Sequence, residues 1–323
     1  MSRFGPAVTP LRRARRRVAL VPAALCATLI LTACSTLSPT TSGAAGATAG
    51  GRPIIVVATI NAWGSIAAQL GGTRVQETSL ITNPATDPHA YEPTPIDARN
   101  VAGAGVFIEN GIGYDSWAAK MLAANPVPGR TVLDVGKLVG IADGGNPHRW
   151  YSPTDVRAAV DQITADYAKS DPSGKGYFEQ RKSAFLTTDL ATYNDLINQI
   201  RAKYTGVKVG ASESIFSPLA QALGLDLVTP ASFLTAISQG TDVSAADKAT
   251  IDQQISSKQI KVYAFNSQNS TPDVAAQVAA ARSEAIPVVA VTETLSPANV
   301  TFQQWQSAQL QQLASALHQA TGR

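Results

Sequence analysis

The sequence predicts an α/β protein of two lobes, each a four-stranded, mostly parallel sheet flanked by helices and joined to the other lobe by one long α-helix. Short runs of β-branched and aliphatic residues alternate with helical segments, as in parallel sheets covered on both faces. Four runs precede a long helical stretch and four follow it, which favours two sheets; a single larger sheet with an added helix is the alternative. The candidate strands are 54–58, 75–81, 106–109 and 131–135, then 207–211, 225–228, 260–265 and 287–292.

The stretch between the two sets of strands predicts the linking helix. Residues 177–204 contain neither proline nor glycine, the residues that most often interrupt a helix. Apolar residues recur there at spacings of 4, 3, 4 and 3, which places them on one helical face. We therefore expect lobes at 53–170 and 207–323, with the linking helix within 171–206. The apolar face consists of Leu186, Leu190, Tyr193, Ile197 and Ile200.

The N-terminal residues have the composition of a secretory leader. Residues 1–33 contain six arginines and no acidic residue, and an apolar run follows the arginines. That run is too short for a confident membrane-spanning helix and is typical of a signal peptide. The motif LTAC at 31–34 resembles a bacterial lipobox, so Cys34 is predicted to carry lipid; an N-terminal membrane anchor with an incidental cysteine is the alternative. Residues 34–52, rich in Ser, Thr, Ala and Gly, are predicted to be a flexible tether.

Charge and cysteine usage exclude several classes of function. Six of the 26 basic residues lie in the leader, which leaves 20 against 23 acidic residues in the rest of the chain, a net charge of −3. A nucleic-acid-binding surface is therefore not expected. The second cysteine, Cys26, lies inside the leader. The mature chain is thus expected to have no disulfide, no thiolate metal site and no thiol nucleophile.

Two of the three histidines stand in one repeated pattern. The stretches DPHAYEPTPIDA (87–98) and NPHRWYSPTDVR (146–157) both place His after Asp-Pro or Asn-Pro, and both end on the features of a helix start. His89 and His148 are therefore expected in loops between a strand and a helix. In open α/β sheets ligands bind at that edge, outside the carboxyl ends of the strands. The alternative is that both are structural loop histidines bonded to backbone.

Residues next to His89 and His148 also support a position in turns that precede helices. Asp87 and Asn146 are placed to shape the two turns or to accept a hydrogen bond from the imidazole that follows. Thr94 and Ser152 are the predicted N-caps of the two following helices, each with a proline at the first helical position. His318 falls in a C-terminal helical pattern and is expected on a solvated face.

Two imidazoles do not complete a metal site, and the second half of the chain offers carboxylates. Glu213 follows the candidate strand 207–211, and Glu293 follows 287–292. Both acids therefore come after the carboxyl ends of apolar strands, where the histidines are also expected. The alternative is that both are ordinary loop acids.

Five separated segments carry a family resemblance: NAWGSIAAQLGG (61–72), TDPHAYEPTPIDA (86–98), NGIGYDSWAAKML (110–122), NPHRWYSPTDV (146–156) and TETL (292–295). They resemble the metal-binding lipoproteins of ABC transporters, the manganese and zinc solute-binding proteins, over essentially all of residues 53–318. The resemblance implies two α/β lobes joined by one long helix, with the metal clamped between them. It places the four ligands at His89, His148, Glu213 and Glu293. Zinc-type members often carry a histidine-rich loop and a third histidine ligand, and neither is present.

The resemblance implies an extracytoplasmic lipoprotein, held by its lipid on the outer face of the cell membrane, that captures a divalent transition metal and delivers it to an ABC permease for uptake. Two imidazoles and two carboxylates suit Mn²⁺ or Zn²⁺, and without a thiolate a Cu(I) site is not expected. Because the ligands bind metal deprotonated, affinity should fall as the pH drops through the histidine range, around 6.5.

The same residue types also occur in proteins of two other functions. One is a metal-dependent surface adhesin or structural metal-binding lipoprotein. The other is a metallohydrolase, which would need an open coordination position and a general base. The sequence contains no nucleophile elbow and no phosphate-binding loop, so no enzymatic activity is expected. A monomer without a nucleic-acid partner is the expected state.

Overall fold

A computed structural model describes residues 52–86 and 88–323. The predicted leader, Cys34 and all but the last residue of the predicted tether lie outside this part of the chain, and so does Asp87.

The first four strands form one parallel sheet in the order β2–β1–β3–β4. In the central strand β1, Val57 pairs with Thr78 of β2 on one side and with Phe107 of β3 on the other. Val57 is fully buried, as expected for a continuous apolar run in a parallel sheet covered on both faces. The strands are β1 (Ile54–Ile60), β2 (Val75–Ile81), β3 (Val106–Glu109) and β4 (Thr131–Asp134).

Helices connect these strands and flank the sheet. Thr94 caps α2 in a capping box with Asp97, and the Ser152 side chain accepts a hydrogen bond from the Asp155 backbone N–H at the start of α5, as predicted. The helices are α1 (Asn61–Gly71), α2 (Pro95–Gly103), α3 (Trp117–Ala124), α4 (Val135–Leu138) and α5 (Pro153–Ser170).

The linking segment is helical, but one turn of it is not α-helical. The backbone N–H of Leu190 donates to the carbonyl of Phe185, five residues earlier, at 2.9 Å. The wider turn lets both of these side chains be buried. The absence of proline and glycine from residues 177–204 predicted a helix but could not predict this wider turn, because the turn depends on the residues that the segment packs against. The segment consists of α6 (Lys175–Ala184), a π-helical turn (Phe185–Asp189) and α7 (Ala191–Tyr204).

The last four strands form a second parallel sheet, in the order β6–β5–β7–β8. The two sheets therefore repeat one topology, and the single-sheet alternative is wrong. The strands are β5 (Lys208–Ala211), β6 (Asp226–Leu227), β7 (Tyr263–Asn266) and β8 (Val288–Val291). The helices around them are α8 (Ser217–Leu223), α9 (Ala231–Ser238), α10 (Ala245–Ser256) and α11 (Pro272–Ser283).

The C-terminal helix α12 (Phe302–Thr321) returns to the first half of the fold. The Phe302 backbone N–H donates to Ser65 Oγ at 2.9 Å, and Gln303 Nε2 donates to Gln69 Oε1 at 2.7 Å. The main hydrophobic core runs from the first sheet through α5, α6 and α7 to the second sheet and α12. The predicted boundaries at 53–170, 171–206 and 207–323 thus divide a continuous core and stay a prediction. Within the described residues, no helix combines the length and apolarity needed to cross a membrane.

Candidate metal centre

The structure brings His89, His148, Glu213 and Glu293 together. One nitrogen or oxygen atom from each side chain lies within 4.8 Å of the corresponding atoms of the other three. The side chains of His148, Glu213 and Glu293 are fully buried, whereas that of His89 is 21% exposed. The cluster is thus buried with one side towards solvent.

The fold explains why four residues from distant parts of the chain meet. His89 lies in the short 3₁₀ turn between β2 and α2, and His148 precedes the corresponding turn before α5. Glu213 follows β5, and Glu293 follows β8. His89, Glu213 and Glu293 thus lie in loops that follow strands, as predicted for ligand-binding loops of parallel α/β folds, whereas the loop that carries His148 follows the short helix α4 instead of β4 itself. His318 lies apart from the cluster, exposed on α12, as predicted.

The separations between the side-chain atoms fit a small metal ion. His148 Nε2 lies 3.2 Å from Glu293 Oε1 and 3.7 Å from Glu213 Oε1, and His89 Nε2 lies 3.6 Å from Glu293 Oε1. In a tetrahedral site with bonds of about 2.1 Å, neighbouring donor atoms are about 3.4 Å apart. These three separations bracket that value, and all four donor atoms lie within 4.8 Å of one another, so the residues present fit a four-coordinate ion.

Asn146 orients His148. Its Oδ1 atom accepts hydrogen bonds from the His148 backbone N–H at 3.0 Å and from the His148 ring Nδ1 at 2.9 Å, while its Nδ2 donates to the Ser214 carbonyl at 2.7 Å. With the proton on Nδ1, the Nε2 lone pair is directed to the carboxylates. Asn146 thus has the acceptor role expected from the sequence. Its bond to Ser214 also ties the His148 loop to the loop that carries Glu213.

Three polar residues that the sequence reasoning missed bind the two carboxylates. Glu293 Oε1 accepts from Asn266 Nδ2 at 2.8 Å, and Glu293 Oε2 accepts from the Tyr114 hydroxyl at 3.2 Å. Glu213 Oε2 accepts from Asn269 Nδ2 at 2.9 Å. Asn266 is the last residue of β7 and Asn269 follows that strand, and this position at the end of a strand is the signal that could have identified both asparagines.

A strained turn presents Tyr114 to the cluster. Residues 111–113 have φ angles of 73°, 60° and 82°, and the middle residue is Ile112, whose β-branched side chain strongly disfavours this left-handed conformation. Asp115 holds the turn, because its carboxylate accepts from the backbone N–H of the first turn residue at 2.9 Å and from Thr59 Oγ1 at 2.6 Å. Such strain persists where the surrounding structure enforces it, commonly at functional sites.

Burial and mutual charge set the protonation of the cluster. Burial raises the pKa of Glu213 to about 8, and the charge of Glu293 acts in the same direction. Burial lowers the pKa of His148, although Glu293 partly opposes this. Burial also acts to raise the pKa of Glu293, but charge and hydrogen-bond interactions with His148 and His89 outweigh it and lower that pKa. Burial and the neighbouring charge of Glu293 therefore favour the protonated form of Glu213 in the metal-free cluster.

Aromatic rings surround the buried histidine. The ring of Trp150 is fully buried, with its centroid 5.5 Å from that of His148 and 5.4 Å from that of Tyr114. A cleft of about 490 Å³, lined by His89, Tyr114 and Asn146 among others, opens beside the cluster. Water therefore screens the charge interactions within the cluster poorly. Solvent reaches the cluster from the side of His89.

Fold and site define a two-lobed α/β protein with a buried nitrogen and oxygen donor set between two parallel sheets. The family model ZnuA, described as zinc-uptake complex component A, periplasmic, matches residues 56–316. The chain belongs to this family.

Individual relatives agree with the family match. The manganese-binding lipoprotein MntA of Halalkalibacterium halodurans is 25% identical over 191 residues, which cover 57% of this chain and 62% of MntA. The high-affinity zinc uptake system protein ZnuA of Bacillus subtilis is 23% identical over 207 residues, which cover 58% of this chain and 63% of that protein. The matches thus span less than two thirds of these relatives.

Solved structures support the same fold. The Mn-bound periplasmic metal binding protein from candidatus liberibacter asiaticus superposes with a TM-score of 0.66 at 20% identity. The superposition covers 81% of this chain and 99% of that structure. At this level of identity the likeness establishes the two-sheet fold.

Proposed function

We propose that this protein captures one divalent transition-metal ion, Zn²⁺ or Mn²⁺, outside the cytoplasm and delivers it to an ABC permease for uptake. The ligands in this proposal are His89, His148, Glu213 and Glu293. The observation that carries the proposal is the convergence of these four side chains in a buried cluster, with one donor atom from each within 4.8 Å of those of the other three. Relatives named as manganese-binding and zinc-uptake proteins support both ions as cargo.

The donor set favours capture over catalysis. A catalytic zinc site keeps one position open for water or substrate, whereas four protein donors occupy every position of a tetrahedral ion. We therefore propose a binding protein without enzymatic activity. The family description, a zinc-uptake component, supports uptake over the adhesin alternative.

Localisation follows from the N-terminal sequence. We propose that residues 1–33 are a cleaved signal peptide, that Cys34 is lipidated, and that residues up to 52 tether the folded body to the outer face of the cell membrane. The lobes are proposed at 53–170 and 207–323, with the linking segment between them, and a monomer is the proposed working unit. Mass spectrometry of the membrane fraction tests the anchor, because a diacylated N-terminal Cys34 is expected and an intact leader would contradict it.

The ligand assignment is tested with two matched histidine variants. Metal-free protein is titrated with Zn²⁺ and with Mn²⁺ by calorimetry, alongside His148→Ala and His318→Ala. We expect one ion per chain for the unchanged protein and for His318→Ala, whose exposed side chain lies outside the cluster. His148→Ala is expected to lose most of its affinity. Equal affinity in both variants would refute the ligand set, and no binding by the unchanged protein would refute the function.

A further inference from the structure

We propose that Tyr151 is a positioning residue for the metal site, because its buried hydroxyl holds the end of β8, and with it Glu293, against the loop that carries His148. The inference rests on the proposed metal-binding function. It goes beyond that function because it assigns part of the metal affinity to a side chain outside the four-residue cluster.

The backbone of Tyr151 is bound to His148. Its N–H donates to the His148 carbonyl at 3.2 Å, within the 3₁₀ turn that precedes α5. The Tyr151 ring is fully buried, with its centroid 6.5 Å from that of Trp150 and 5.7 Å from that of Trp305. Close packing of this kind leaves a side chain little freedom to change rotamer. The position of the Tyr151 hydroxyl is therefore fixed relative to His148.

The hydroxyl of Tyr151 contacts the second half of the fold. It accepts a hydrogen bond from the Thr292 backbone N–H at 3.3 Å. Its own proton has two acceptors within reach, the Thr292 carbonyl at 2.9 Å and Gln309 Oε1 at 2.8 Å. Tyr151 therefore contacts both backbone polar groups of Thr292, which lies 141 positions away in the chain and directly precedes Glu293.

Two side chains of α12 also hold Thr292. Trp305 Nε1 donates to Thr292 Oγ1 at 2.8 Å, and Gln309 Oε1 accepts from the Thr292 backbone N–H at 3.2 Å. Both of these residues belong to the C-terminal helix, whereas Tyr151 comes from the segment that carries His148. The Tyr151 hydroxyl therefore joins this group of hydrogen bonds directly to the His148 loop.

These contacts form a closed path beside the proposed metal position. The path runs from His148 to Tyr151 through their backbone hydrogen bond, and from Tyr151 to Thr292 through the hydroxyl. The next residue is Glu293, whose Oε1 lies 3.2 Å from His148 Nε2. Ligands must be held within about 0.5 Å of the productive geometry for full function. Loss of the hydroxyl opens the path, so Glu293 is held less firmly against His148 and the metal site is weaker.

Two tyrosine variants separate positioning of the ligands from a general loss of stability. Tyr151→Phe keeps the buried ring and removes only the hydroxyl. Tyr167→Phe is the matched control, because Tyr167 is also fully buried and its hydroxyl donates to a backbone carbonyl, that of Ala67, at 3.0 Å. Calorimetric titration with Zn²⁺ and with Mn²⁺ gives the metal affinities. Urea unfolding in chelator gives the stability of each metal-free variant.

Tyr151→Phe should lower the affinity for both ions by about 10- to 100-fold, the usual effect of losing a residue that orients a ligand. Tyr167→Phe should lose stability and keep its metal affinity. A double variant shows whether Tyr151 acts through Glu293, because residues that act through one another give non-additive losses. The loss of Zn²⁺ affinity caused by Tyr151→Phe should therefore disappear when the substitution is made in Glu293→Ala.

Three results would overturn the inference while leaving the proposed function intact. The first is a loss of metal affinity in Tyr151→Phe no larger than that in Tyr167→Phe. The second is a loss that persists in full in the Glu293→Ala background. The third needs no variant to fold: a zinc-loaded crystal structure in which the Tyr151 hydroxyl lies more than about 3.5 Å from both backbone polar atoms of Thr292. Failure of the unchanged protein to bind either metal would instead refute the proposed function, and the inference with it.

Discussion

His148 Nε2 lies 3.2 Å from Glu293 Oε1, although the two residues are 145 positions apart in the chain. The first belongs to a loop that follows the first sheet, and the second to a loop that follows the last strand of the second sheet. The pair therefore exists only when the two sheets are held together by the shared core. The proposed metal affinity should therefore depend on how closely the two halves of the fold hold these side chains together, as well as on the chemistry of the side chains.

Removing the acceptor that orients His148 should weaken metal binding without removing a ligand. In Asn146→Ala the ring Nδ1 loses its 2.9 Å acceptor and keeps only the Ser214 hydroxyl at 3.4 Å, which can donate as well as accept, so the tautomer is no longer fixed. Loss of such a partner typically costs 10- to 100-fold in metal affinity. We expect a decrease in that range for both Zn²⁺ and Mn²⁺, measured by calorimetric titration. Asn198→Ala, on the exposed face of α7, is the control, and an affinity unchanged in Asn146→Ala would show that the loop backbone alone orients the ring.

Metal binding should release a proton from Glu213. Because its pKa is raised to about 8, about 0.9 of a proton is bound at pH 7 and must leave before the carboxylate binds metal. The loss of affinity on acidification should begin near pH 8, above the histidine range expected from the sequence. Calorimetry in buffers of different ionisation enthalpy gives the number of protons released. Glu213→Gln should release about one proton fewer, and equal release in the two proteins would contradict the assignment.

The same carboxyl group should make the metal-free fold less stable at alkaline pH. The pKa of Glu213 is raised on folding from 4.5 to about 8, so its protonated form contributes stability that is complete below pH 4.5 and lost as the pH rises to 8. The stability of Glu213→Gln relative to the unchanged protein should therefore increase across that interval. Urea unfolding in chelator at several pH values measures it. Glu179→Gln, an exposed position on α6, controls for loss of one carboxylate, and a pH-independent difference for Glu213→Gln would be inconsistent with a buried protonated group.

The capping box of α2 should contribute measurable stability. In Thr94→Ala the first turn of the helix loses the side-chain acceptor of the Asp97 backbone N–H, whereas Asp97 keeps its bond to the Thr94 backbone N–H. The expected loss is about 1 kcal/mol in the free energy of unfolding, from urea titrations. Thr250→Ala, at an exposed interior position of α10, should be neutral or slightly stabilising because alanine is the better helix former. An equal effect of the two substitutions would show that the cap contributes nothing.

Local patterns in the sequence predicted the sheets well, because continuous apolar runs mark buried parallel strands. All eight candidate runs overlap strands, with ends shifted by up to three residues, as where 260–265 becomes Tyr263–Asn266. His89 and His148 were found because one pattern occurs twice around them. Glu213 and Glu293 were found because each follows an apolar strand.

What the sequence could not predict depends on tertiary contacts. Tyr114 and Glu293 are 179 positions apart, and nothing near Tyr114 in the chain indicates an acceptor. Asn269 is one of several polar residues after β7, and only the position of Glu213 distinguishes it. The π-helical turn at Phe185–Asp189 is likewise set by packing of the linking segment. Residues that hydrogen-bond to the four clustered side chains are thus harder to predict than the clustered residues themselves, because they lack a local pattern.

The most direct test of the ligand set is a crystal structure of the zinc-loaded protein with data collected on both sides of the zinc absorption edge. We expect one anomalous peak among His89, His148, Glu213 and Glu293, at about 2.0–2.2 Å from one atom of each side chain. A zinc peak elsewhere on the protein, or a peak here that lacks bonds to either glutamate, would contradict it.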